Sequence, residues 1–392
     1  MFRKMPFLLL ALMGFIGAFH SWIPYEVQSI LYGVSLTIKS AMVFCLPLII
    51  FGLLFKTAVG FAKSASKIIL FLIAAICLSN FISTMISYSV GRIAYGFDLT
   101  MSFPSEGAQL QPFWSWALPK WLGNDTAMLA GLGLGILLGL WRPSWAAKVS
   151  AKIDRIIGVL LKGCLYVIPI FIAGFFMKMC HDKVIGYILQ NYGLIFGLVA
   201  FFVFAYIAFL YRVATHGSDK TFIQSVKNML PAAMAGFGSM SSAAAMPLTI
   251  LGVEKNAKDP ELASSIVPAT VNVHLIGDCF AIPIFAFAVL KSFGVPEPDF
   301  INYVIFACYF VLAKFSVAAV PGGGILVMLP ILERYLGFDG TMLSLITALY
   351  ILFDPVITCA NVLGNGGFAM NLSRWIKVRK LDKSGENTFL SP

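Results

Sequence analysis

The sequence predicts an all-α polytopic membrane protein with eight transmembrane helices and two re-entrant helical hairpins. Three observations carry that expectation. Of the 392 residues, 59% are hydrophobic and only 12% charged, with a mean hydropathy of +0.88, whereas a soluble domain needs more charge to cover its surface. Apolar runs recur at about 18 residues or longer, enough for a membrane helix and too long for a membrane β-strand. Two of the later runs are interrupted midway by glycine, serine and proline, which break helices.

In order along the chain, apolar runs fall at 6–23, 38–55, 68–94, 126–141, 156–177 and 187–211. The first follows Arg3 and Lys4 in the manner of a signal peptide, but no small-residue cleavage site follows it, so it is read as a span. A cytoplasmic N-terminus puts Lys56, Lys63 and Lys67, then Arg142, Lys148, Lys152 and Arg155, then Arg212, Lys220 and Lys227 on the inside. The long outer loop, 97–125, is instead rich in Pro, Trp and acidic residues. Topology thus accounts for the net charge of +10. No basic patch with interleaved aromatics is present, which argues against nucleic acid as a partner. The seven cysteines are scattered without Cys-x-x-Cys pairs, and are assigned to packing rather than to disulfides or zinc.

After Lys227 the pattern changes. Hairpin 1 is expected at 229–252, interrupted by Gly236, Gly238 and the run Ser239-Met240-Ser241-Ser242, then by Pro247. Each half is then too short to cross about 30 Å of hydrocarbon. A polar linker, 254–261, leads to an uninterrupted seventh span at 264–290. Hairpin 2, 300–336, is broken at Val320-Pro321-Gly322-Gly323-Gly324. The eighth span, 342–372, ends in Arg374, Lys377, Arg379 and Lys380, which places the C-terminus inside. The expected division is 1–220 before this change of pattern, 221–372 after it, and a cytoplasmic tail in 373–392. Two interrupted apolar segments in corresponding positions point to a transporter's binding site.

The eighth span carries Asp354, Thr358, Asn361 and Asn365 at spacings of four, three and four, which share one helical face. Such a stripe is costly at membrane depth and marks a functional cavity. The Asp354 carboxylate is suited to a substrate ammonium group, with Thr358 and Asn361 completing the hydrogen bonds; the plainer alternative is a helix cap or a pairing with Lys314. Ser241 and Ser242, with the backbone N–H groups of Gly322, Gly323 and Gly324, suit an α-carboxylate, against an alternative of tight small-residue packing. His274 and Asp278 lie four apart and suit a proton relay, or else His274 is a satisfied core residue. Lys314 carries a charge costing about 2.5–3.5 kcal/mol at such depth, so a partner is expected.

At these four segments the sequence resembles the dicarboxylate/amino acid:cation symporter family, the glutamate-transporter-like proteins. The serine-rich first hairpin of that family is matched by 239–247, ending in Pro247, and the second by Val320-Pro321-Gly322-Gly323-Gly324. The seventh-span pattern Asn-Met-Asp-Gly-Thr is kept only in Asn272, and Asp-x-x-Arg-Thr-x-x-Asn-Val-x-Gly-Asp reads here from Asp354 through Thr358, Asn361, Val362 and Gly364 to Asn365. The resemblance implies an elevator-like carrier that forms homotrimers, with a scaffold mainly in 1–220 and a transport core in 221–372 to which the third and sixth spans also contribute, with Na+ or H+ as coupling ion and no other cofactor, in a bacterial inner membrane. It implies cation ligands at Asn272, Asn361 and Asn365, and Ser83 and Thr84 of the third span fall near the family's hydroxyl ligands, with helix packing as their plainer alternative. Ile357 stands at the family's carboxylate-binding arginine, and Met240 at an arginine found in some members. His274 and Asn365 replace sodium-ligating aspartates, and Lys314 falls where backbone oxygens meet another sodium. These departures favour a neutral or small amino acid over a dicarboxylate, although isoleucine's inability to donate is the chemical ground. Two other classes compete: an intramembrane serine protease using Ser239 and His274, and a passive channel lined by the hairpins.

Overall fold

A computed structural model describes residues 5–63, 67–97, 109–119, 121–183, 192–317 and 322–384, and their regular structure is entirely helical. Part of the expected outer loop (98–108 and 120), the start of the expected sixth span (187–191), Val320, Pro321 and the end of the tail lie outside the described residues. Among the described residues, three helical segments are long and apolar enough to cross a bilayer: Phe71–Tyr95, Gly193–Ala214 and Gly340–Ile376.

The first half comprises α1 (Met5–Phe19), α2 (Tyr25–Lys63), α3 (Lys67–Tyr95), α4 (Asn124–Trp141), α5 (Pro143–His181) and α6 (Gly193–Ala214). Both α2 and α5 have 39 residues, about 58 Å at 1.5 Å per residue, well beyond their apolar runs. Their polar flanks contain good helix formers, so the helix continues past the apolar part. Small residues bring the first half together. A Cβ on Gly131 or Gly135 of α4 would stand 2.7 or 2.8 Å from the Phe51 or Phe55 carbonyl of α2, the close approach that glycine permits between membrane helices. Ser35 of α2 donates to the Phe171 carbonyl of α5 at 2.9 Å. The outer loop docks along α2, where Trp114 Nε1 donates to Thr37 Oγ1 at 2.9 Å and the Leu118 N–H to Ser40 Oγ at 2.6 Å.

The second half comprises α7 (Asp219–Ser239), α8 (Ser242–Asn256), α9 (Pro260–Thr270), α10 (Ile276–Ser292), α11 (Phe300–Lys314), α12 (Gly323–Leu336) and α13 (Gly340–Ser384). The arms α7 and α8 pack against each other, as do α11 and α12, so both expected hairpins form. Every residue of α10 from Ile276 to Leu290 is buried, which makes this helix the axis of the largest apolar core. Two helices of the first half pack on it. Gly91 of α3 lies against the Phe287 ring, and α6 turns Ile195, Val199, Val203, Ile207 and Tyr211 inward at intervals of four. The Tyr211 hydroxyl then donates to the Leu363 carbonyl of α13 at 3.1 Å.

The seventh span is not continuous, contrary to expectation. Residues 271–275 leave the helix between α9 and α10, although they contain neither glycine nor proline. The break in hairpin 1 is also narrower than the sequence implied. Helix α7 runs through Gly236 and Gly238, α8 runs through Pro247, and the chain turns only at Met240 and Ser241. Gly236 instead serves packing: a Cβ there would lie 2.9 Å from Val362 of α13.

Candidate functional site

The tip of hairpin 1 closes on its own backbone. Met240 adopts φ 49°, the left-handed conformation that ends α7. Ser241 caps α8 by accepting from the Ala244 N–H at 3.3 Å. The Ser239 hydroxyl accepts from the Ser241 N–H at 3.3 Å. Ser242, the first residue of α8, is buried.

The tip of hairpin 2 is held from outside. Gly322, at φ 70°, stands just before α12, and its N–H donates to Asp354 Oδ2 of α13 at 2.9 Å. Thr358 Oγ1 donates to Asp354 Oδ1 at 3.1 Å, one turn further along. Asp354 therefore does cap a neighbouring helix terminus, where a carboxylate meets free N–H groups and the positive dipole end. No cationic side chain pairs with it among the described residues. Lys314 is engaged elsewhere, 3.3 Å from Asp278.

The stripe on α13 is buried as expected: Asp354, Thr358, Asn361 and Asn365 are each at most 5% exposed. Asn361 accepts from the Gly277 N–H at 2.8 Å, and so caps the start of α10 from across the site. Gly277 has no room for a side chain, because a Cβ would collide with the Ile357 carbonyl. Ile357 itself is buried at 1% exposure. Asn365 Oδ1 is buried with no hydrogen-bond partner among the described residues. Asn272, by contrast, is exposed at the break.

Helix α3 braces that break. Asn80 Nδ2 donates to the Val273 carbonyl at 2.8 Å, Ser79 Oγ is hydrogen-bonded to His274 Nε2 at 2.9 Å, and Ser87 Oγ donates to the Cys279 carbonyl at 2.6 Å. Ser83 and Thr84 point into the same buried face, but their hydroxyls donate back to Ser79 and Asn80 carbonyls of their own helix. His274 stacks on Phe368 with centroids 4.1 Å apart. No described bond joins it to Asp278, so the expected His–Asp pair is not formed. Nor is there a Ser239–His274 dyad, since each has its own partners.

Sequence reasoning missed Ser79, Asn80, Ser87, Gly277 and Tyr350. Tyr350 lies four residues before Asp354, which extends the α13 stripe by one turn. The α3 residues recur at spacings of three and four on one face, a signal as regular as that of α13. A cavity of about 580 Å³ lies apart from this centre, lined by residues including Lys39, Pro47, Trp121, Pro330, Glu333 and Arg334. It holds none of the stripe residues, so size alone does not mark the site.

Two paired hairpins, a broken helix and a polar-striped helix, enclosing a buried carboxylate within an apolar helical protein, define the architecture of a membrane carrier. A family model described as the sodium:dicarboxylate symporter family matches residues 147–375, more than half of the chain, and the protein belongs to that family. It is a family of transporters and not of enzymes. Among curated proteins, an excitatory amino acid transporter from Onchocerca volvulus is 27% identical over 141 residues. The match covers 36% of this chain and 28% of that relative, so the chain spans under a third of its length in the matched part.

Proposed function

We propose that the protein is a secondary active symporter that moves an amino acid or dicarboxylate across the membrane with a cation, and that a neutral or small amino acid is preferred. Asp354 carries this reading. Its buried carboxylate uses one lone pair on Gly322 and one on Thr358, which leaves acceptor capacity for a substrate ammonium group. Nearby Ile357 cannot donate, so a second substrate carboxylate would be desolvated without a bidentate partner. Ser241, Ser242 and the backbone of Gly322, Gly323 and Gly324 supply donors for the α-carboxylate; Val320 and Pro321, outside the described residues, belong to the same proposed site.

Sodium as coupling ion is supported by the family, with Asn361 and Asn365 as oxygen donors and Asn272 beside the break. A proton relay through His274 and Asp278 lacks a geometric basis. An elevator movement of the second half is part of this reading, and the seam where Met13, Phe171 and Phe175 meet Thr347, Ala348 and Leu352 is apolar. Homotrimers, a bacterial inner membrane and cytoplasmic termini accompany this reading.

Uptake into proteoliposomes, under separate sodium and proton gradients and with a panel of amino and dicarboxylic acids, tests it. The expected outcome is saturable, concentrative, sodium-driven uptake of a neutral amino acid, abolished by Asp354→Ala. Non-saturable flux would mean a channel, and unchanged substrate binding in Asp354→Ala would remove Asp354 from the site.

A further inference from the structure

Asp278 and Lys314 are buried charges for which the binding site has no use. Lys314 ends α11 with no exposed surface, and Asp278 of α10 is 1% exposed. The ammonium lies 3.3 Å from Asp278 Oδ2 and 4.4 Å from the centroid of the Phe310 ring, yet its geometry completes no hydrogen bond among the described residues. Tyr350 of α13 donates to the other carboxylate oxygen, Oδ1, at 2.7 Å. From α12, Gly324 comes so near that a Cβ would stand 2.8 Å from Asp278 Oδ1. Four elements therefore converge on one carboxylate.

Removing two charges from water costs more than their attraction commonly returns, so packing alone is served as well by apolar side chains. A carboxylate enclosed here without a partner would have to take up a proton or a cation from solution. Lys314 brings one that cannot leave. It meets the carboxylate as a compact point charge over an aromatic face, much as a small free cation would.

We propose that Lys314 is a tethered cation: it fills a cation site at Asp278, so hairpin 2 closes on α10 and α13 without drawing a free ion to that carboxylate. This rests on the cation-coupled reading and deepens it, because the ions that couple transport must then bind away from Asp278. Removing the ammonium opens the site to sodium or lithium.

Thermal unfolding of the full chain in detergent, in NaCl, LiCl and choline chloride at equal ionic strength, tests the proposal with Lys314→Met and with the double variant Asp278→Asn/Lys314→Met. In Lys314→Met, sodium or lithium should raise the midpoint over choline by about 2–5 °C more than in the wild type, saturably. The double variant should lose that increment. Equal responses of Lys314→Met and wild type overturn the proposal. So does a Lys314→Met protein that fails to fold in every salt, whether or not the double variant folds. Sodium dependence of amino acid binding by the wild type is read separately: indifference there would sink the coupled-carrier reading while the Lys314→Met increment still decides the role of Lys314.

Discussion

The two hairpins end alike in sequence, in small residues and a sharp turn, but they are closed by different means. Hairpin 1 carries local bonds at its turn: Ser239 and Ser241 satisfy N–H groups within five residues of one another. Hairpin 2 depends on other elements, its tip on Asp354 of α13 and its first arm on Asp278 of α10. The described tip of hairpin 2 is held by a carboxylate, so a change of charge at Asp354 should act on hairpin 2 before it acts on hairpin 1.

The contrast breaks most readily at Asp354. Asp354→Asn removes the charge that holds Gly322 and that, in the proposed site, takes the substrate amine; hydrogen bonds to charged groups are worth about 1.5–3 kcal/mol. Amino acid affinity should therefore fall by about ten- to a hundredfold, with faster amide exchange at 322–326 and unaltered exchange at 239–244. Equal loosening of both tips would end the distinction. Gly277→Ala tests the cross-site support next. Its Cβ would collide with the Ile357 carbonyl, and overpacking of this kind costs about 1–3 kcal/mol, read as a lower unfolding midpoint. Gly238→Ala, where the space is open, should be neutral or stabilising by up to about 1 kcal/mol.

Local closure of hairpin 1 predicts a smaller effect. Ser241→Ala loses the α8 cap at about 1 kcal/mol, and Ser241→Asn, which can cap, should recover most of it. Recovery of stability by Asn without recovery of amino acid binding would assign the Ser241 hydroxyl to the substrate as well as to the cap.

Much of this was legible in the residue order. The stripe from Asp354 to Asn365 follows from helical periodicity alone, and the burial of all four residues agrees with it. Lys314 was expected to have a partner because a charge in an apolar helix requires one. Its identity was not legible: the sequence argument named Asp354 as the alternative partner, and only the tertiary placement of Lys314 beside α10 selects Asp278 instead. The break at 271–275 was hidden altogether, because its stretch carries no helix-breaking residue.

Composition and periodicity by themselves determined a helical membrane protein, the two hairpins and the polar face of the last helix, since these depend on apolar length and on backbone preferences of neighbouring residues. The tertiary structure decided where the seventh span opens and which charges meet. Backbone groups freed from a helix can be satisfied by a side chain far away in the chain, as Asn80 does for Val273 across 193 positions. No local pattern encodes such a partner, because the contact exists only once the helices have packed.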